Sequence, residues 1–400
     1  MSSQNRNPNV VVVMTTQWRA QSTGYGGDGN ASTPFLDSLA EESIDFFQAV
    51  TPHPFGVFAR AAFLTGIACP DNGIAGYYDP LPENTQTLAN LYQDQGYDTA
   101  FFGKWQLFER DRKAPVVGIE HALVEVPENR RGGFSYWEGF ESGFLLNDGY
   151  YHGSKIGPPK KIEGYQSDVV VDLCRNYLKK RNCDKPVFAF LSLDAPHPPY
   201  GEAASGVSPI DPESLILPEE VPDVFEIRSI AREELSGYYA HIEATDRAIG
   251  SLVSFLKENT DWENTVFVFT SAHGDMHGSH GQFRKGWPHE ESVRVPLLFS
   301  WPKFFSNSRR DPLLISLLDL GPTLFGLCFE GERQKLRVTG AGADLAPAMK
   351  MHAEGPDYQR LSMPSVPPFR KQCPYAWTAK RTIQRTEVIN DLGESFRLEH

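Results

Sequence analysis

The chain has 400 residues, 40% hydrophobic and 22% charged, with 38 basic against 51 acidic side chains and a net charge of −13. These proportions exclude a mainly disordered chain, and the acidic excess argues against a nucleic-acid scaffold or a polybasic membrane binder. No apolar run approaches the ~18 residues of a membrane-spanning helix. The opening Met1–Pro8 lacks a basic and then apolar leader, so the chain as given is expected to be cytoplasmic; Leu398-Glu399-His400 read as the start of a tag. Five scattered cysteines (Cys69, Cys174, Cys183, Cys328, Cys373) form no Cys-x-x-Cys pair, which excludes a disulfide scaffold and a zinc ribbon.

In chain order, Asn9–Met14 is a continuous β-branched run, as in a central parallel strand buried on both faces. Thr33-Pro34 offers an N-cap and an N1 proline for a helix over 34–43. Leu88–Gln95 reads as a helix closed by Gly96, and Thr99–Phe102 as a short strand. Val169–Lys180 carries a helical stripe, Pro186–Leu193 is a strand, and Arg232–Glu258 has the clearest amphipathic spacing. The strand Val266–Thr270 follows it.

This alternation predicts an α/β fold, a large mostly parallel sheet flanked by helices on both faces. After Trp301-Pro302 the pattern changes to one helix near Leu313–Leu327, a Pro- and polar-rich stretch over Gly340–Pro374, and a hairpin over Trp377–Ile389. The expected organisation is a core over 8–305, a smaller α+β subdomain over 306–397, and 398–400 as tag remnant. Function in such a sheet sits in loops at the carboxyl ends of the strands.

Those loops carry MTTQWRA (14–20), TPFLDSLAEE (33–42), ARAAFLTG (59–66), GYDTAFFGKWQL (96–107), APHPPY (195–200) and TSAHGDMHGSHGQFRKGWPHEESVRVP (270–296). In order and spacing the chain resembles the sulfatase family of the alkaline phosphatase superfamily, closest in pattern to the sulfatase and phosphonate monoester hydrolase branch. The resemblance implies a divalent cation, usually calcium, and a formylglycine nucleophile matured from Cys or Ser. In the branch with the closest pattern, an Asp-Gln pair and an Asp-His pair hold the metal.

Departures fall at those positions. Thr16 stands where the family has a carboxylate, beside a retained Gln17; Ala272 replaces another, beside a retained His273. Counting back from Arg60 places Gly56 at the nucleophile, and Gln106 replaces a histidine after Lys104-Trp105. Glycine has no side chain to oxidise, and a hard cation needs about six oxygen donors, so no cofactor and no metal are expected. Arg60, Lys104, His197 and Lys285 match positions that meet the nucleophile or the sulfate oxygens. With the carboxylates gone, charge counting predicts a net positive pocket that receives an anion directly. Lys104, His197, His273 and Lys285 are the candidates for any acid–base chemistry.

The expectation is therefore a sulfatase-like protein that binds a small sulfated, phosphorylated or carboxylated ligand without hydrolysing sulfate esters. Nucleic-acid and membrane partners are not expected; a homo-oligomer is left open. A repurposed lyase, isomerase or cyclase is the alternative, and an active sulfatase or phosphoester hydrolase the third reading, because no Cys or Ser lies between Thr51 and Arg60. The run His273, His277, His280 leaves open a rebuilt transition-metal site.

Overall fold

The computed structural model describes residues 7–329, 342–351 and 354–400. Met1–Arg6, and Gly340 at the head of the polar stretch, lie outside the described residues.

Ten strands make the large sheet: β1 (Asn9–Thr15), β2 (Ile44–Asp45), β3 (Asp98–Lys104), β4 (Tyr136–Phe140), β5 (Tyr150–Gly153), β6 (Gly157–Lys161), β7 (Val187–Ser192), β8 (Thr265–Ser271), β9 (Leu297–Ser300) and β10 (Arg309–Arg310). Their spatial order is β10-β2-β9-β8-β1-β7-β3-β4-β5-β6. The central run β8-β1-β7-β3-β4 is parallel throughout, with Val12 of β1 level with Phe190 of β7 and Val268 of β8. Helices cover both faces, so these strands bury every side chain beyond the first residues of β1, β3 and β4, which is why they read as largely unbroken apolar runs.

The helix expected at 34–43 spans Pro34–Ala40, and Thr33 does not cap it; its hydroxyl donates to the Asp37 carboxylate instead. The long helix runs Phe225–Asn259, starting seven residues before the expected Arg232, because its first turns are exposed and carry no buried apolar stripe. Helix Gly56–Thr65 was not foreseen. Its first nine residues are all buried, so it has no polar face from which periodicity could be read.

A second, antiparallel sheet of four strands closes the chain: β11 (Gln359–Met363), β12 (Trp377–Arg381), β13 (Arg385–Asn390) and β14 (Ser395–Glu399). Leu361, Met363, Trp377 and Val388 join the apolar core on one face of the large sheet. Trp377 Nε1 donates to the Gly286 carbonyl at 2.8 Å and Arg381 forks onto Glu290, so the small sheet braces the loop after β8.

The loop after β7 is braced from the other side. A Cβ on Gly237, inside the long helix, would overlap the Tyr200 carbonyl oxygen. Backbone cannot give way as a side-chain tip can, so Gly237→Ala is expected to destabilise the protein by about 1–3 kcal/mol. Chemical denaturation measures this directly, and a wild-type midpoint would show that the helix stands further from the loop.

Candidate functional site

Because β1, β3, β7 and β8 run parallel, their carboxyl ends meet at one edge of the sheet. Each end supplies site residues: Thr16 and Gln17 after β1, Lys104 and Gln106 at the end of β3, Asp194 to Tyr200 after β7, and Ala272 to Lys285 after β8. Gln17 (φ 71°) and Gln106 (φ 59°) adopt left-handed backbone conformations. Such conformations are costly for residues with side chains and cluster at functional sites.

Lys104, His197, His273 and Lys285 line one cavity of about 240 Å³, together with Thr16, Gly56 and Gln106. Lys104 is fully buried; its Nζ donates to Asp194 Oδ1 at 2.7 Å and lies 3.9 Å from the Phe144 ring centre. Burial pulls the Lys104 ammonium down to about 7, against the attraction of Asp194. Lys285 Nζ donates to Gln17 Oε1 at 2.6 Å and to His197 Nε2 at 2.8 Å. Burial draws it to about 8, with Asp275 opposing.

The two histidines differ in what they leave free. His197 Nδ1 donates to the Pro198 carbonyl at 2.7 Å, so its Nε2 is the acceptor that Lys285 uses. His273 Nδ1 donates to the Gly274 carbonyl at 2.8 Å, which leaves the lone pair on its buried Nε2 without a partner among the described residues. Burial holds both imidazoles well below the usual histidine range, and Lys285 adds to it in each case.

Arg60 lies beneath the cavity rather than on its wall. Its guanidinium donates to Ser192 Oγ (2.9 Å), Gln106 Oε1 (3.2 Å) and Thr16 Oγ1 (2.7 Å), all neutral oxygens. Burial lowers it to about 10.

The net positive pocket expected from charge counting is corrected here. Asp194 and Asp275, both fully buried, supply carboxylates that the count of losses at 16 and 272 ignored. Burial alone would raise the Asp275 carboxyl. His277 and Arg284, with hydrogen bonds from Tyr200 and Gln17, hold it below the usual range. Asp194 had a signal in the sequence, as the first residue past an apolar strand; the aromatic walls Phe144 and Phe369 had none.

A divalent cation does not fit the residues at 16, 17, 56, 272 and 273. Thr16 Oγ1 donates to the Leu193 carbonyl and accepts from Arg60, Gln17 Oε1 is taken by Lys285, and Gly56 and Ala272 offer no side-chain oxygen. His273 offers a nitrogen, whereas a hard cation wants charged oxygens. His273, His277 and His280 do not converge: His277 packs on Tyr200 and Tyr238, and His280 faces Glu291 and His289. Among the described residues no group of three or more His, Cys, Asp or Glu side chains is placed to hold a metal.

Comparison with known proteins agrees with the loops. The sulfatase family model matches residues 8–328, and the chain belongs to the sulfatase family, within the alkaline phosphatase superfamily. It is 36% identical to an ulvan-active sulfatase of Formosa agariphila, over 97% of this chain and 74% of that protein. It is 28% identical to an arylsulfatase of Clostridium perfringens, over 79% of this chain and 74% of the relative. The crystal structure of a phosphonate monoester hydrolase from Agrobacterium radiobacter shares the fold at a TM-score of 0.72, 18% identity, and 98% and 89% coverage of the two chains.

These relatives overturn one expectation. A protein similar over nearly its whole length to proteins named as sulfatases is not read as a non-hydrolysing anion binder, and the lyase, isomerase or cyclase alternative is not favoured either. That expectation was argued from the residues missing at 16, 56 and 272 and not from what the site holds. Among the described residues, no helix is long and apolar enough to cross a membrane.

Gly56 and Gln106 fill one space between them. A Cβ on Gly56 would come within 2.7 Å of both Gln106 Oε1 and Arg60 NH1. Gly56→Ala is therefore expected to cost about 1–3 kcal/mol, and the cost should shrink when Gln106→Ala is already present. A double-mutant cycle by denaturation tests this; additive costs would show that the two positions are independent.

Proposed function

We propose that this chain is a sulfatase acting on a sulfate monoester carried by a saccharide, with water as the attacking group in place of a side chain at position 56. The observation that carries this reading is the meeting, in one cavity, of two ammonium groups with the His273 Nε2 lone pair, which no group among the described residues uses. Lys104 and Lys285 would hold the sulfate oxygens by charge-assisted hydrogen bonds. His273 Nε2, neutral because it is buried, would take a proton from water as that water attacks sulfur.

The water oxygen forms the new bond to sulfur while the bond from sulfur to the sugar oxygen breaks. The leaving alkoxide takes a proton from Lys104, whose depressed pKa makes it the readier donor near neutral pH. The products are the alcohol and sulfate, and exchange with solvent returns the proton from His273 and restores that of Lys104. Position 56 contributes nothing to these steps, consistent with its being glycine.

Sulfated saccharides are favoured over simple inorganic esters by the walls of the cavity. Phe55, Tyr77, Phe144 and Phe369 surround the cationic floor, and the apolar face of a sugar ring packs well on aromatic rings. The ulvan-active name of one relative points the same way.

Sulfate release from sulfated oligosaccharides, followed by ion chromatography, tests the reading. His273→Ala is expected to lower kcat roughly 100- to 10,000-fold with an unchanged melting temperature. The pH profile carries a second expectation with a definite sign. A lysine is charged below its pKa, so kcat/KM should fall as pH rises through about 7 and 8, where Lys104 and Lys285 lose their protons. It should not fall on the acid side until well below the ordinary histidine value of about 6.5, since His273 stays neutral there. An unaffected His273→Ala enzyme, or a rate that climbs through pH 8, would contradict the assignment.

A further inference from the structure

We propose that the ammonium of Lys285 stands in the place of a divalent cation, so that this sulfatase pocket is assembled around a cation belonging to the chain itself. The family resemblance puts the metal among positions 16, 17, 272 and 273. Of the side-chain oxygens left there, Gln17 Oε1 is held by Lys285 Nζ at 2.6 Å and Thr16 Oγ1 by Arg60 NH2 at 2.7 Å. Both oxygens are therefore spent on in-chain cations.

Lys285 is fixed in this position from several directions. Its Nζ has a second acceptor in His197 Nε2, and its backbone carbonyl accepts from Gln372 Nε2 at 3.2 Å. Gln17 is fixed as well: its Nε2 donates to Asp275 Oδ2 and to the Tyr200 hydroxyl, which itself donates to Asp275 at 2.6 Å. The carboxylate of Asp275 thus aims the Gln17 carbonyl oxygen at the ammonium, and a negative charge one residue removed balances the positive one. Gly286 and the small sheet behind it hold the lysine's segment through Trp377.

The charge count follows from this layout. With neutral Thr16 and Ala272 at two positions where the family has carboxylates, the Lys285 ammonium, at a position the resemblance already fills with a cation, is left beside the sulfate position without a carboxylate cage. A calcium ion entering here would have to displace Lys285 from Gln17 and would then find a neutral amide, a hydroxyl already bonded to Arg60, and an imidazole. That donor set suits calcium poorly.

The inference stands on these contacts and not on turnover, so it can be tested whether or not sulfate release is found. Wild-type protein, purified without chelator, is melted in EDTA, in millimolar calcium and in millimolar magnesium, and its metal content is measured by elemental analysis. The expected result is one melting temperature in all three solutions and far less than one ion per chain. A melting temperature that drops by several degrees in EDTA and returns with calcium or magnesium, or about one ion per chain, would overturn the proposal. Lys285→Ala tests the lysine's own place: ethylammonium chloride is expected to raise its melting temperature above that in equal sodium chloride. An equal response to the two salts would overturn the placement of the ammonium.

Discussion

A guanidinium buried away from water must find an oxygen for its N–H groups, and Arg60 finds them on three different strand ends. Thr16 follows β1, Ser192 ends β7 and Gln106 follows β3, so one side chain ties these ends to the first turns of helix Gly56–Thr65. Among the described residues no carboxylate is in direct contact with Arg60. Its stability rests on several hydrogen bonds to neutral oxygens, each stronger for having a charged donor. Gly56 is part of the same constraint, because the Gln106 oxygen that serves Arg60 occupies the space where a side chain at 56 would begin.

Above that clamp the cavity presents charges that are only partly compensated. Lys104 has Asp194 in direct contact, while Lys285 reaches Asp275 only through the amide of Gln17. Burial makes both ammoniums costly, as their lowered pKa values record. A bound sulfate ester would add oxygens and negative charge where the protein supplies them sparingly. The same burial keeps His273 neutral at the pH where the lysines remain charged, so base and cations coexist in one small volume.

Much of the fold was legible because its central strands are buried on both faces and so carry unbroken β-branched and aromatic runs. The sheet edges were not: β5 and β6 contain Tyr150-Tyr151-His152-Gly153 and Gly157-Pro158-Pro159-Lys160-Lys161, which lack both a continuous apolar run and clean alternation. Helix Gly56–Thr65 was invisible for the opposite reason, since a helix buried all round has no polar face. Of the site, the residues that match family positions could be found by spacing. The partners that set their behaviour could not, because Asp194 with Lys104, and Asp275 with Gln17, are 90 and 258 residues apart in sequence. Reasoning from absent carboxylates alone therefore produced too positive a pocket and a non-hydrolysing protein, and the likeness to named sulfatases corrected the second conclusion.

The central claim is that water attacks sulfur directly, with no oxygen from the chain passing into the product. A single turnover of a sulfated oligosaccharide in ¹⁸O-water, with protein in excess and the products read by mass spectrometry, tests it most directly. The account expects one ¹⁸O atom in the released sulfate and none in the sugar alcohol. Unlabelled sulfate from the first turnover, label in the alcohol, or no sulfate at all would contradict it.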